Sequence, residues 1–263
     1  MTPARRKSAQ QRLKEPAFNR SLLRGIEILR AFRPGVDLLG NSELAERTRL
    51  PRATVSRLTQ TLTSAGLLDH DRRRRAYRLA APVLSFAHAM RLGSPVLAVA
   101  APLMRELAEK RRINVGLAVA DRDVMVYLES VRYNRKASLR NVVAGQRIPM
   151  ESTSLGRAYL AVVAEARRKK LFSTFKRRRE SGWTRLTRDI DDAIESVHRR
   201  GYCVASWQPG VVALAAPIVV EGHPIYVLNV SVTSDVSQAA VARHLGEPLM
   251  GLAASLVEAI RRL

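Results

Sequence analysis

Residues 42–58 read SELAERTRLPRATVSRL, and the spacing within them decides the N-terminal fold. Leu44 and Ala45 face inward on a short helix, with Asn41 or Ser42 as its predicted N-cap. Pro51 suits the first turn of the next helix, because its fixed φ fits there and its missing N–H is not needed. That helix is predicted to bury Val55, Leu58, Leu62 and Ala65, spaced three, four and three apart, and to stop at Gly66 as its C′ residue. Ala45 is small where two helices cross. Val55 and Leu58 follow it by ten and thirteen residues, where the second helix must pack back on the first. Arg49 occupies the intervening turn, where a glycine would relieve a left-handed backbone worth about 1 kcal/mol.

With that face buried, Arg52, Thr54, Ser56, Arg57, Gln60 and Thr61 are left outside. Arg takes guanine bidentately and Gln takes adenine, so Arg52, Arg57 and Gln60 are the candidate base readers. Thr54 and Ser56 are candidates for positioning the phosphate backbone. Upstream, Leu22, Leu23, Ile26, Leu29 and Ala31/Phe32 recur at helical spacing until Pro34-Gly35 stops the run. Downstream, LLDHDRRRRAYRLA forms two short strand-like runs around a turn of Asp and Arg. Three helices and a basic hairpin make a winged helix-turn-helix. The hairpin tip Arg72, Arg73, Arg74 and Arg75 would lie along a groove or a row of phosphates, with salt-dependent affinity and little sequence preference.

The charge agrees with a polyanionic partner. Lys and Arg number 45 against 23 Asp and Glu, a net +22 over 263 residues. Residues 1–80 hold 18 cations and 7 acids, and residues 81–263 hold 27 and 16, so the density is greatest at the N-terminal end. Residues 1–17 are basic, polar and without period, and are expected to form a flexible arm. The 46% apolar fraction is that of a globular chain. The longest apolar stretch, Val211 to Val220, is ten residues with a proline inside, too short to span a bilayer. A basic N-terminus without an apolar h-region makes the cytoplasm the expected location.

Beyond residue 80 the pattern mixes helices with antiparallel hairpins, an α+β arrangement. Residues 82–92 are helical and lead to a hinge at Gly93-Ser94-Pro95. A helix over 95–111 precedes two strands joined at Asp121-Arg122-Asp123. A strand over 137–143, a helix from near Ser154, a basic segment over 165–180 and a helix from Thr187 to Arg200 come next. Strands over 211–220 and 224–232 and a closing helix complete the chain. The basic run within 167–179 reads either as a second nucleic-acid patch or as a solvated face.

SLLRGIEILRAF, SELAERTRLPRATVSRL and AYRLA, then GQRIPMESTSLGRAYLA, RRGYCV, PGVVALAAPI and LNVSV, occur in an order that resembles the IclR family of bacterial transcription regulators, from about Ser21 to the end. The resemblance implies a winged helix-turn-helix over 18–80, a dimerising linker helix and hinge over 81–94, and a GAF-like effector-binding domain with an antiparallel sheet over 95–263. It also implies homodimers or homotetramers that bind operator DNA and respond to a small organic acid or aromatic carboxylate. Carried over motif by motif, Ser152, Thr153, Ser154 and Gly156 become candidates for an anion site at a helix N-terminus. Asn229 and Ser231 become candidates on the closing strand, where alternate positions share a face. The chain departs from the family where an acidic stretch usually follows RRGY, here Ala205-Ser206-Trp207-Gln208, and where Val212-Ala213 replaces a frequent Arg-Cys. Losing acid and gaining Trp207 suits an apolar or aromatic ligand body.

No catalytic set or metal cluster is expected. The five histidines (His70, His88, His198, His223 and His244) are scattered without HxH or HExxH spacing. Ser154 lies in STSLG rather than a G-x-S-x-G elbow. The single cysteine, Cys203, excludes an intramolecular disulfide and is expected to be a small buried apolar residue. No cofactor is expected. A nonspecific nucleic-acid binder with a C-terminal oligomerisation domain stays open as the alternative function.

Overall fold

The computed structural model describes residues 19–133, 143–179, 181–233 and 237–263, in two units that divide between Phe86 and Ala87. The expected arm over 1–17, and residues 137–142 of the expected strand, lie outside the described residues.

In the first unit, α1 (Arg20–Ala31) starts at Asn19, whose side chain accepts the Leu22 N–H at 3.0 Å. Its buried stripe is Gly25 and Ile28, continued by Phe32, whereas Leu22, Leu23 and Ile26 are 62%, 46% and 39% exposed. Two apolar stripes fit the same helical period in this segment, and tertiary packing selected the other one. After β1 (Leu39–Gly40) come α2 (Asn41–Thr48) and α3 (Arg52–Ser64). The N-cap of α2 is Gly40 rather than Asn41 or Ser42, and the Glu43 carboxylate accepts the Gly40 N–H at 2.9 Å. Asn41 instead accepts from the buried Thr59 hydroxyl of α3 at 3.3 Å. That bond ties the two helices together. Arg49 joins them with φ 58°, so the turn keeps the left-handed conformation that a glycine would hold without strain rather than altering to avoid it. In α3, Val55 and the unexpected Thr59 are buried, Leu58 and Leu62 are half-buried, and Ala65 is exposed because the helix ends at Ser64 and leaves it as the C-cap. Gly66 follows at φ +71°.

Strands β2 (Leu68–Asp71) and β3 (Ala76–Leu79) form the hairpin, and β1 pairs antiparallel with β3 on its other edge. Ile28, Phe32, Leu39, Leu44, Val55 and Leu68 form the core. Each such side chain contributes about 1.5–3 kcal/mol by leaving water.

The helix α4 (Pro82–Leu92) runs across the division between the units, and α5 (Pro95–Arg111) opens the rest of the second unit. Ser94, in the expected hinge, caps α5 by accepting the Leu97 N–H at 3.3 Å. The sheet has the order β6-β5-β4-β9-β8-β7, with β4 (Asn114–Asp121), β5 (Val124–Val131), β6 (Arg147–Pro149), β7 (Cys203–Gln208), β8 (Val211–Ile218) and β9 (Tyr226–Thr233) all antiparallel. Side chains alternate across it. Val115, Leu117, Leu214, Leu228 and Val230 pack with α5 and with α9 (Gln238–Arg261). Ala118, Tyr127, Ala215 and Val227 pack with α6 (Ser154–Val162), α7 (Glu165–Arg178) and α8 (Trp183–Arg200). The sheet is therefore covered on both faces, as an α+β fold with a fully buried central strand requires. Helix α8 begins four residues before the expected Thr187, because Gly182 at φ +80° turns the chain into it and Trp183 packs edge-on against Phe172. Among the described residues no single helix is long and apolar enough to cross a membrane.

Candidate functional site

Each unit carries one candidate site. On α3, Arg52, Ser56 and Gln60 follow at i, i+4 and i+8, one exposed stripe with Arg57 beside it. Thr54 is half-buried rather than free. It lines, with Arg57 and Thr61, a hollow of about 530 Å³ against Leu22, Ile26 and Leu29 of α1. Thr61 is exposed, its hydroxyl donating to the Arg57 carbonyl at 3.0 Å. The outward arc of α3 thus narrows to Arg52, Ser56, Arg57 and Gln60, the width a helix presents to a groove.

Arg72, Arg73, Arg74 and Arg75 are all exposed at the hairpin tip. Asp71 accepts the Arg74 N–H at 2.9 Å, which holds its carboxyl below the usual range. Arg75 closes the turn in the left-handed region at φ 50°. His70 stacks on Tyr77 behind the tip at 4.7 Å. The hairpin is pinned from within, and none of its four guanidiniums forms an ion pair within 4 Å among the described residues, although the Arg74 charge also helps hold the Asp71 carboxyl down.

In the second unit the closing strand β9 sets the geometry. Asn229 pairs in register with Gly116 on one side and Ala215 on the other, and Ser231 with Asn114 and Ala213. These six positions share one face of the sheet. Ala215 and Ala213 pair in turn with Cys203 and Ala205, and the Cys203 thiol lies 3.4 Å from the Ser154 carbonyl. The N-terminus of α6 therefore stands over this face. Burial pushes the Cys203 thiol up to about 12, so it stays protonated and unreactive at neutral pH.

Asn229 is 5% exposed, and its amide hydrogen-bonds to Tyr127, whose phenol is itself raised by burial, while its Oδ1 has no partner. Asn114 Oδ1 is also buried and unpartnered. The two amides lie in a polar cavity of about 30 Å³ with Gly116, Tyr127, Ser130, Arg132 and Ser231. That volume holds one small polar group. A Cβ on Gly116 would stand 2.5 Å from both Asn229 Oδ1 and the Tyr127 ring, so the glycine makes room for them. Asn114, Gly116 and Tyr127 are functional candidates that the sequence reading missed. The available signal was Gly116 itself, since a glycine inside a strand marks a close approach.

The anion-site candidates separate. The Thr153 hydroxyl accepts the Gly156 N–H at 3.2 Å and donates to the Pro149 carbonyl at 2.7 Å, so it is committed to capping α6. Gly156 lies against the Met150 backbone, where a Cβ would meet the carbonyl oxygen at 1.9 Å. Ser154 is buried at the start of α6, and Ser152 is half-buried just before it. Trp207 is half-buried and packs on the cluster under α6–α8.

Residues 21–72 match the IclR helix-turn-helix domain, and residues 90–256 match the bacterial transcriptional regulator IclR C-terminal domain. The chain belongs to the IclR family. It is 34% identical over 186 residues to the HTH-type transcriptional regulator TsaQ1/TsaQ2 of Comamonas testosteroni, an alignment covering 70% of this chain and 66% of that protein. About a third of that relative is left uncovered. An IclR family transcriptional regulator from Brucella abortus superposes with a TM-score of 0.86 at 31% identity, over 96% of this chain and 97% of that one. An IclR homolog from Microbacterium hydrocarbonoxydans, crystallised with 4-hydroxybenzoate, has the same fold at 22% identity and a TM-score of 0.69, over 92% of this chain and all of that one. The N-terminal unit is thus an IclR helix-turn-helix, a DNA-binding element, and the family is one of transcriptional regulators.

Proposed function

We propose that this IclR-family protein is a dimeric, sequence-specific DNA-binding regulator of the cytoplasm, not an enzyme. In this reading residues 18–80 bind DNA, 81–94 link, and 95–263 bind a small carboxylate effector with an aromatic body. Arg52, Arg57 and Gln60 read bases, Ser56 and the wing arginines hold phosphates, and Thr54 supports α3 from the α1 side.

The observation that carries the effector reading is the pair of unpartnered buried amide oxygens at Asn114 and Asn229, on a sheet face otherwise lined by Gly116, Ala213 and Ala215. A buried polar atom without a partner costs about 1–3 kcal/mol, which a ligand group recovers on binding. Turning over either amide offers a donor instead of an acceptor, so the cavity takes a carboxylate oxygen or a hydroxyl. Ser231 adds a hydroxyl on the same face, and Ser152 and Ser154 add theirs at the α6 end. Trp207 offers the apolar wall for the ligand body. The 4-hydroxybenzoate bound by the Microbacterium homolog is a ligand of this class.

Calorimetric titration of the full chain tests it. 4-Hydroxybenzoate or benzoate is expected to bind at least ten-fold tighter than two- or three-carbon oxo acids, and Asn229→Leu is expected to remove that binding. Tighter binding of the short acids overturns the aromatic reading.

The dimer rests on α4. Leu84, Phe86, Met90 and Leu92 are 74%, 62%, 51% and 75% exposed, and the helix has no buried residue. An apolar helix with no buried residue, tied to its own chain through Arg91 and Glu129, needs a cover for the rest, and a second copy of the same helix supplies one by symmetry. Sedimentation of Leu84→Ser/Phe86→Ser is expected to show monomers where the unsubstituted protein shows dimers. An unchanged sedimentation coefficient rejects α4 as the interface.

A further inference from the structure

The helix α7 and its C-cap Arg179 carry eight cations and one acid, and the apolar side of the helix, Leu171 and Phe175, sits in the core. Four of those cations fasten it. Arg178 reaches Asp123 at 2.9 Å, and Arg178 and Arg179 flank the buried Glu151 at 3.7 and 3.6 Å. Arg167 and Arg168 donate to the carbonyls of Arg122 and Leu160. A fifth, Lys169, pairs with Glu165. Lys170, Lys176 and Arg177 are left over. They are exposed and have no acid partner among the described residues.

These three are arranged for a linear polyanion. Lys170, Ser173 and Arg177 fall at i, i+3 and i+7, one stripe of the helix with Lys176 beside it. Lys170 and Arg177 stand about 10 Å apart along the axis, the rise of about three phosphates on one DNA strand. Trp183 packs on Phe172 and so brings the first turn of α8, with exposed Arg185, beside α7.

We propose that this face of α7 is a second DNA contact, one that grips phosphates and reads no bases. An acidic protein partner fits less well. Protein interfaces depend on buried aromatic and aliphatic anchors, and none of the large exposed apolar side chains belongs to α7. Phosphate contacts need charge and hydroxyls alone. The proposal rests on the chain acting at DNA through its helix-turn-helix, which raises the effective concentration of duplex at α7 and makes weak contacts count.

The test is the salt dependence of binding of the full-length protein to a long duplex taken upstream of its own gene, read by fluorescence anisotropy. Lys170→Gln/Lys176→Gln/Arg177→Gln is expected to lower the slope of log K against log[salt] by about 2 to 3 per bound protomer, because each phosphate contact contributes about 0.9. The charge-keeping variant Lys170→Arg/Lys176→Arg/Arg177→Lys should retain the slope. A control triple, Arg105→Gln/Lys110→Gln/Arg243→Gln, removes equal charge from exposed positions on α5 and α9, which cover the other face of the sheet. It is expected to move the slope much less. A slope unchanged in the α7 variant, or lowered equally by the control, overturns the proposal and leaves an acidic protein or plain solvation as the role of the face. Footprinting judges the operator reading separately. If no protected site appears for the unsubstituted protein, that reading fails, while the slope comparison on the same duplex still decides α7.

Discussion

Gly156→Ala is expected to lower the stability of the C-terminal unit by about 3 kcal/mol or more, the upper end of the range for overpacking. The added methyl would sit 1.9 Å from the Met150 carbonyl oxygen and 2.3 Å from its Cα. Those are backbone atoms of a fully buried residue, and no rotamer change moves them aside. Relief requires lifting the first turn of α6 off the segment that precedes it. That segment also carries Thr153, which caps the helix, and Glu151, which holds Arg178 and Arg179. Urea unfolding followed by circular dichroism measures the loss. Gly251→Ala on α9 is the control, because nothing lies within 4 Å of its added methyl. There the better helix former should be neutral or stabilising by up to about 1 kcal/mol. An unchanged midpoint for Gly156→Ala would mean that α6 slides on Met150 without penalty, and that the turn over the β9 face is not fixed by this contact.

The contrast between those two glycines shows what the sequence could and could not display. Both lie in helical segments. Only the turn that folds Met150, six residues upstream, back onto α6 separates them, and the residue pattern does not report how tightly it closes. The helix-turn-helix was legible because its determinants are short-range. Ala45, Pro51, Val55 and Gly66 act within a few turns of one another, whereas the left-handed Arg49 shows that the turn keeps its usual geometry without the glycine. The buried stripe of α1 was not legible. Its segment satisfies helical period along two faces, and the contact of Ile28 with the core, rather than Leu22 or Ile26 with it, is decided by α2 and α3. Thr59 was hidden for a related reason, since a hydroxyl enters the core only because the Val55 carbonyl and Asn41 stand ready to bond it. On the sheet, Asn229 and Ser231 were visible only through the family resemblance, which marks alternate polar positions on the closing strand. Their neighbours Asn114, Gly116 and Tyr127 were not, because they become neighbours only through the register of β4 with β9 and β5, and β9 lies far along the chain from both.

Arg57→Ala is expected to remove discrimination between operator and unrelated duplex while leaving the fold in place. The side chain is exposed, and its neighbours on the buried side, Val55, Leu58 and Thr59, lose no contact that holds α3. Arg and Ala have similar helix propensity, so the unfolding free energy should stay within about 0.5 kcal/mol. A bidentate Arg–guanine pair is worth about 1–3 kcal/mol of discrimination. In the proposed symmetric dimer two protomers would double it to about 2–6 kcal/mol, a loss of roughly 30-fold to 10⁴-fold on the operator. If Arg57 held a phosphate instead, affinity would fall alike on operator and scrambled duplex, with the salt slope lower by about 1 per protomer. Anisotropy titrations on both duplexes at several salt concentrations separate the two roles. The wing arginines supply the reference behaviour, since replacing Arg72, Arg73, Arg74 and Arg75 by Ala should weaken both duplexes together and flatten the salt slope. A footprint that persists unchanged in Arg57→Ala would place the base-reading surface elsewhere than on the Arg52, Ser56, Arg57 and Gln60 arc, and the helix-turn-helix would then have to meet the duplex in a different orientation.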